Sequence, residues 1–129
     1  MLFETNKEKG RAGLCFAIAY FGSNGWNVSL PLNDTQDYDL IIEKNNIFQK
    51  IQCKATGCKN KNDTFYIVKL RSTGGNGGNK IYGTVKDSSA DLLFVLTKEK
   101  QMYLIPINEI TQSTSLTLNS DYDQYKINF

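Results

Sequence analysis

Histidine does not occur in this chain, which removes every mechanism that relies on an imidazole base. Cysteine occurs three times, an odd number that argues against a disulfide framework. Cys53 and Cys58 make a poor zinc pair, because neither histidine nor a second cysteine pair is present to complete four ligands. Cys15 and Cys53 fall on apolar positions and are expected as small core fillers. No apolar run approaches the roughly 18 residues that a membrane-spanning helix needs. The start, Met1-Leu2-Phe3-Glu4-Thr5-Asn6, lacks the basic region and apolar stretch of a signal peptide, so a cytoplasmic protein without a membrane partner is expected. The glycine run Gly74-Gly75-Asn76-Gly77-Gly78-Asn79 lacks the Lys-Ser/Thr ending of a phosphate-binding loop, and no nucleotide cofactor is expected.

What is present suits one globular domain spanning 1–129. The 129 residues, 40% of them hydrophobic and 22% charged, suffice to bury a core without staples. A net charge of +2 permits nucleic-acid binding without demanding it. Distribution says more. Lys50, Lys54, Lys59, Lys61, Lys69 and Arg71 follow one another, with Lys80 and Lys86 beyond, while Asp34, Asp37, Asp39 and Glu43 lie just upstream.

Thr5-Asn6-Lys7-Glu8 reads as a capping box that opens a helix. From Ala12 to Phe21 that helix is apolar nearly all round, so extensive burial against a sheet or a partner is expected. Trp26–Leu30 alternates as a strand, and Asp39–Glu43 and Ile47–Ala55 form a hairpin about Lys44-Asn45-Asn46. Thr64–Leu70 reads as a fourth strand. Asp91–Leu96 is a continuous apolar run typical of a central strand covered on both faces. Met102–Ile105 pairs with it, Pro106–Ile110 makes a short helical turn, and Tyr125–Phe129 adds an edge.

The third strand carries the chemistry. With a period of two, Ile51, Cys53 and Ala55 point toward the core, while Lys50, Gln52 and Lys54 share the opposite face. Asp39 opens the neighbouring strand within reach of that face. An acid, an amide and a lysine together suit phosphodiester hydrolysis. Mg²⁺ takes oxygen ligands and keeps several waters; Asp39 supplies an anionic oxygen, Gln52 an amide oxygen, and the backbone carbonyl of Cys53 a third. The ion activates water, and Lys54 orients it or offsets charge growing in the transition state. Each residue also has a plainer explanation. Glu8 serves the cap, Asp39 suits a turn, Tyr38 suits packing, and Arg71, Lys80 and Lys86 suit a solvated surface.

In these residues the chain resembles the small PD-(D/E)XK endonucleases associated with group I introns, which are homing-type enzymes. The likeness runs through Lys9-Gly10, Gly13-Leu14, Gly25-Trp26, Leu30-Pro31-Leu32, Tyr38-Asp39-Leu40-Ile41-Ile42, Ile51-Gln52-Cys53-Lys54 and Tyr103-Leu104-Ile105-Pro106-Ile107. It covers roughly the first 110 positions by order and spacing. Tyr38 replaces the proline of the motif, and Gln52 stands where most of the superfamily has Asp or Glu, which removes one negative charge.

The resemblance implies an α/β, restriction-endonuclease-like core with a central mixed sheet of about five strands flanked by helices. It implies an endodeoxyribonuclease that cuts double-stranded DNA with Mg²⁺, or Mn²⁺ in its place. Asp39 and Gln52 would be metal ligands, Lys54 the catalytic cation, and Glu8 an auxiliary ligand from the helix. Lys50, Arg71, Lys80 and Lys86 would contact DNA. Cutting both strands needs two sites, so a homodimer or homotetramer is expected. A Holliday junction resolvase-like nuclease, or a nuclease fold that binds DNA or protein without catalysis, are the alternatives.

Overall fold

The structure is a computed structural model and describes residues 3–33, 35–71 and 83–129. Helix α1, Asn6–Ser23, opens with the capping box that its sequence announces. The Glu8 N–H donates to Thr5 Oγ1 at 3.1 Å, and the Thr5 N–H donates to Glu8 Oε2 at 2.9 Å. Two helix-end donors are thereby satisfied. At the other end the Asn24 side-chain amide donates to the Tyr20 carbonyl at 2.7 Å. Gly25, at φ +83°, then turns the chain through a conformation that side chains resist.

In chain order the strands are β1 (Asn27–Ser29), β2 (Leu40–Lys44), β3 (Ile47–Thr56), β4 (Ile67–Lys69), β5 (Leu92–Thr97), β6 (Met102–Pro106), β7 (Ser115–Thr117) and β8 (Lys126–Ile127). Six form one sheet in the order β1-β2-β3-β5-β6-β8. It is mixed, since β3 and β5 run parallel and the other neighbours antiparallel. Asn45 and Asn46, at φ 55° and 65°, make the two-residue turn that joins β2 to β3 and suits the twist of a hairpin. A short 3-10 turn, Ile107–Glu109, follows β6, where a helical turn is expected from the sequence.

Both faces of the sheet are covered. On one face Ala17 and Phe21 of α1 pack with Leu40, Ile42, Ile51, Phe94, Leu96 and Met102. On the opposite face Leu93, Val95, Tyr103 and Ile105 meet Val68, Leu70, Val85 and Leu116. The main sheet of six strands agrees with the expected mixed sheet of about five. The second cover comes from the crossover between the parallel strands together with β7 after β6, and it changes two expectations. The segment at 64–70 contributes β4, which leaves that sheet and pairs with β7 as a separate two-stranded ribbon. And the polar face of β3 is not an open surface, as shown below.

Helix α1 differs from expectation too. It buries only Gly13, Ala17 and Phe21, the single stripe that a flat sheet can touch. Gly13 makes the approach close, because a Cβ there would lie 3.4 Å from that of Ala55. Ala19 is exposed, and so is Cys15, which is therefore no core filler; Cys53 is half-buried and does pack beneath the helix. No helix among the described residues is long and apolar enough to cross a membrane.

Phe21 is 1% exposed and sits among the rings of Tyr20, Trp26 and Phe94. Phe21→Ala is expected to lower the unfolding free energy by about 3–5 kcal/mol, read from urea denaturation. Cys15→Ser on the exposed side should stay within about 0.5 kcal/mol of the parent.

Candidate active site

The β2–β3 ladder ends at the pair Leu40–Ile51, with the Asp39 N–H donating to the Ile51 carbonyl at 2.8 Å. Continuing that register sets Asp39 opposite Gln52, and residues opposite one another in an antiparallel pair share a face. Past this point β2 no longer accompanies β3. The next inward donor of β3, the Cys53 N–H, goes instead to Asp39 Oδ2 at 2.7 Å. A side-chain carboxylate thus takes over where the partner strand stops. Its Oδ1 makes no hydrogen bond to a described residue, and the Cys53 carbonyl points toward the same gap, since N–H and C=O of one strand residue face the same way.

Alternation along β3 holds as the sequence implies. Ile51, Cys53 and Ala55 pack beneath α1, and Lys50, Gln52 and Lys54 face the other way. Gln52 and Lys54 lie beside Leu93 and Val95 of β5, both members of the second core. Gln52 is consequently only 7% exposed. Its amide makes no hydrogen bond to a described residue, yet no buried side-chain polar atom among the described residues lacks a partner, so both amide atoms reach solvent.

Burial sets the electrostatics. It pushes the Asp39 carboxyl above its ordinary range, against the pull of the Cys53 N–H and the nearby Lys54 charge. Burial likewise pushes the Lys54 ammonium down, with Asp39 opposing and Lys9 adding to the fall. Asp39 and Lys54 therefore sense each other in a shared, poorly solvated space. An acid raised and a base lowered side by side is the pattern of functional sites.

Glu8, the expected auxiliary ligand, is held by the helix cap. Its Oε2 accepts from the backbone N–H groups of Glu4 and Thr5, which hold its carboxyl below the usual range. Among the described residues no cluster of three or more His, Cys, Asp or Glu side chains forms. The helix residue that approaches Lys54 is Lys9. Asn6, Lys9 and Gly10 line one wall of a cleft of about 430 Å³ whose other walls are Cys53–Thr56, Cys58, Ile67, Lys69 and Arg71. The Thr56 hydroxyl donates to the Ile67 carbonyl and the Ile67 N–H to the Cys58 carbonyl at 2.8 Å; these bonds set β4 against the end of β3.

The other expected cations scatter. Lys50 lies over the Tyr38 ring at 5.2 Å. Lys86 donates to the Thr111 carbonyl at 3.3 Å and borders a different depression, with Asp91 and Asn108. Arg71 shares the cleft with Lys54. Lys80 lies outside the described residues.

The profile of the PD-(D/E)XK endonuclease family matches residues 4–128. The chain belongs to that family. Among solved structures, a bacterial homing endonuclease, I-Ssp6803I, matches with a TM-score of 0.74 and 26% sequence identity, over 95% of this chain and 89% of that one. No curated protein matches. The mixed sheet and the restriction-endonuclease-like architecture agree with this membership.

PD-(D/E)XK nucleases generally use divalent metal ions, and the donors here fit a hard one. Asp39 Oδ1, the Gln52 amide and the Cys53 carbonyl offer oxygen, with a single fixed negative charge. Mg²⁺ tolerates such a set, since it retains waters and draws ligands from substrate phosphates. Two cations that line the cleft, Lys9 and Lys69, were not among the expected site residues. A signal for each existed. Lys9 falls on the stripe with Asn6, Gly10 and Gly13 that meets β3, and Lys69 alternates with the buried Val68 and Leu70.

In metal-free protein, an NMR titration of the Asp39 carboxyl carbon is expected to give a midpoint above the ordinary aspartate range. Lys54→Met should raise it further, because the neighbouring cation that favours the ionised form is lost. The folded value exceeds the unfolded one, so this group contributes stability below the ordinary range and loses it as pH rises through the raised value. Asp39→Asn keeps an oxygen for the Cys53 N–H without the buried charge. It should therefore leave Tm at pH 7 unchanged or higher.

Proposed function

We propose that this protein is a divalent-metal-dependent endodeoxyribonuclease of the homing type, which hydrolyses phosphodiester bonds of double-stranded DNA. The observation that carries the reading is the register that sets Asp39 opposite Gln52, with Lys54 two residues along the same face. Family membership supports nuclease chemistry, and the likeness to a homing endonuclease over nearly the whole chain supports the substrate class.

Asp39, Gln52 and the Cys53 carbonyl would hold the ion, with Mg²⁺ the first choice and Mn²⁺ a substitute. When bound, it supplies Lewis-acid polarisation of the scissile phosphate and lowers the pKa of a coordinated water. The protein does the rest. The Cys53 N–H fixes the Asp39 carboxylate so that one oxygen stays directed into the gap. Lys54 places a positive charge beside that carboxylate, where a phosphate acquires negative charge in the transition state. Burial strengthens this interaction by excluding water from around both groups. Gln52 orients without adding charge.

Supercoiled plasmid incubated with Mg²⁺ is the direct assay. The native chain should nick or linearise it, chelator should stop the reaction, and Lys54→Ala or Asp39→Asn should slow it by at least about a hundredfold. Native protein that leaves both plasmid and a library of duplex targets intact would sink the proposal and favour a binding module.

Gln52→Glu gives a second, independent check. Restoring an acid at this position should lower the Mg²⁺ concentration that gives half-maximal cleavage, since ligand charge governs affinity for hard cations. The same change places two carboxylates together at a buried position, so the metal-free protein should melt at a lower temperature than the parent. An unchanged Mg²⁺ dependence would remove Gln52 from the ligand set.

A further inference from the structure

The cleft between α1 and β4 has a composition that the proposed chemistry does not use. Lys9, Lys54, Lys69 and Arg71 line it, and among the described residues no acidic side chain does. Lys9, Lys69 and Arg71 form no ion pair with a described residue. Lys9, Lys69 and Arg71 bring three like charges to one concavity beside Lys54, and a cleft of one sign focuses field toward a ligand of the other. At about 430 Å³ the space lies within the range of about 300–1,000 Å³ that organic ligands occupy, so it is more than a gap between lysines. Among the described residues no aromatic side chain lines it, so what they offer a ligand is mainly charge rather than a stacking platform.

Its position is informative. Lys54 and Cys53 border the cleft, and the same two residues touch the Asp39 side of β3 through electrostatic coupling and a hydrogen bond. The catalytic candidate and the cleft share a wall.

We propose that this cleft is a second phosphate subsite, in which Lys9, Lys69 and Arg71 hold the DNA backbone next to the scissile phosphate while Lys54 stands between the two positions. The inference rests on the nuclease reading above and extends it to the path of the strand. The backbone enters between the first turns of α1 and the outer side of β4. Lys9 and Lys69 act there as positioning residues, since they contact a phosphate that does not react.

The test is duplex binding as a function of salt, with the full chain, a fluorescent duplex oligonucleotide and chelator present. Each lost phosphate contact lowers the slope of log affinity against log salt by about 0.9. Between 50 and 200 mM salt, the native-to-variant affinity ratio of Lys9→Ala, Lys69→Ala or Arg71→Ala should therefore shrink by about 3.5-fold. Lys9→Arg and Lys69→Arg should restore the native slope, which a merely structural role would not require. Lys61→Ala, an exposed turn lysine outside the cleft, should leave the slope unchanged. In plasmid cleavage with Mg²⁺, Lys69→Ala should lose activity at limiting DNA and keep it at saturating DNA.

The outcomes separate cleanly. Native slopes in all three cleft variants, from a protein that binds and nicks DNA, would overturn the subsite alone. An equal loss in Lys61→Ala would overturn it as well, by showing a general surface effect. A native chain that neither binds nor nicks would remove the nuclease reading and this inference with it.

Discussion

One hydrogen bond, from the Cys53 N–H to Asp39 Oδ2 at 2.7 Å, organises the site. A strand that loses its neighbour leaves backbone donors that must find partners. Where β2 parts from β3, the acid that heads β2 becomes that partner. The contact fixes the carboxylate at the height of Gln52 and Lys54, and it exists only in one register. That register is set several residues away, by Asn45 and Asn46 in left-handed conformations. A slip of one residue would turn Gln52 and Lys54 under α1 and bring Ile51 and Cys53 to the site face. The apolar side of β3 forbids such a slip, because Ile51 is wholly buried beneath the helix. Core packing and site geometry are thus two consequences of one alternation.

The second layer explains the odd member of the trio. Gln52 faces Leu93 across the parallel pair, with the apolar ribbon of β4 and β7 covering that face. A glutamate at 7% exposure beside Asp39 would set two negative charges in a poorly solvated place, and the pKa values of both would climb. An amide supplies an oxygen without that repulsion. Asp39, Gln52 and Lys54 then sum to no net formal charge, which is the least unfavourable state for buried groups without a ligand. The loss of an acid relative to the usual motif reads as an adaptation to burial as much as a loss of metal affinity.

Local signals were legible in the sequence, and distant contacts were not. The capping box at Thr5 and Glu8, the asparagine turn, the alternation of β3 and the apolar run of β5 each depend on a few neighbouring residues, and each was readable. The second layer was not. β4 lies in a segment legible as a strand, but its pairing with the three-residue β7, far along the chain, leaves no local trace in the sequence. Without it Gln52 looks solvated, even though the apolar run of β5 already implies cover on both faces of the sheet. Cys15 misled for a related reason. An apolar helix signals burial, but only Gly13, Ala17 and Phe21 are fully buried, with Leu14, Ile18 and Tyr20 packing partly against the sheet and Cys15 left exposed. That Asp39, Gln52 and Lys54 would share a face was readable because all three belong to one hairpin, whereas Lys69 arrives from another layer.

The helix shows how periodicity divides labour between adjacent residues. At about 100° per residue, the stripe through Gly13, Ala17 and Phe21 extends back to Lys9, Gly10 and Asn6, while Glu8 falls to one side and is held by the cap. An acid reaching the site from α1 would have to stand at one of those stripe positions, and the chain has asparagine, lysine and glycine there. The helix therefore brings positive charge to β3, and Asp39 is the one fixed anion among the candidate ligands of the β2–β3 hairpin. On the proposed reading, an ion at such a site takes its further anionic ligands from the substrate's phosphate oxygens, while the cations of the cleft hold that same strand. Ion and DNA then favour each other's binding by linkage, and the weakness of either alone guards against cleavage until both are in place.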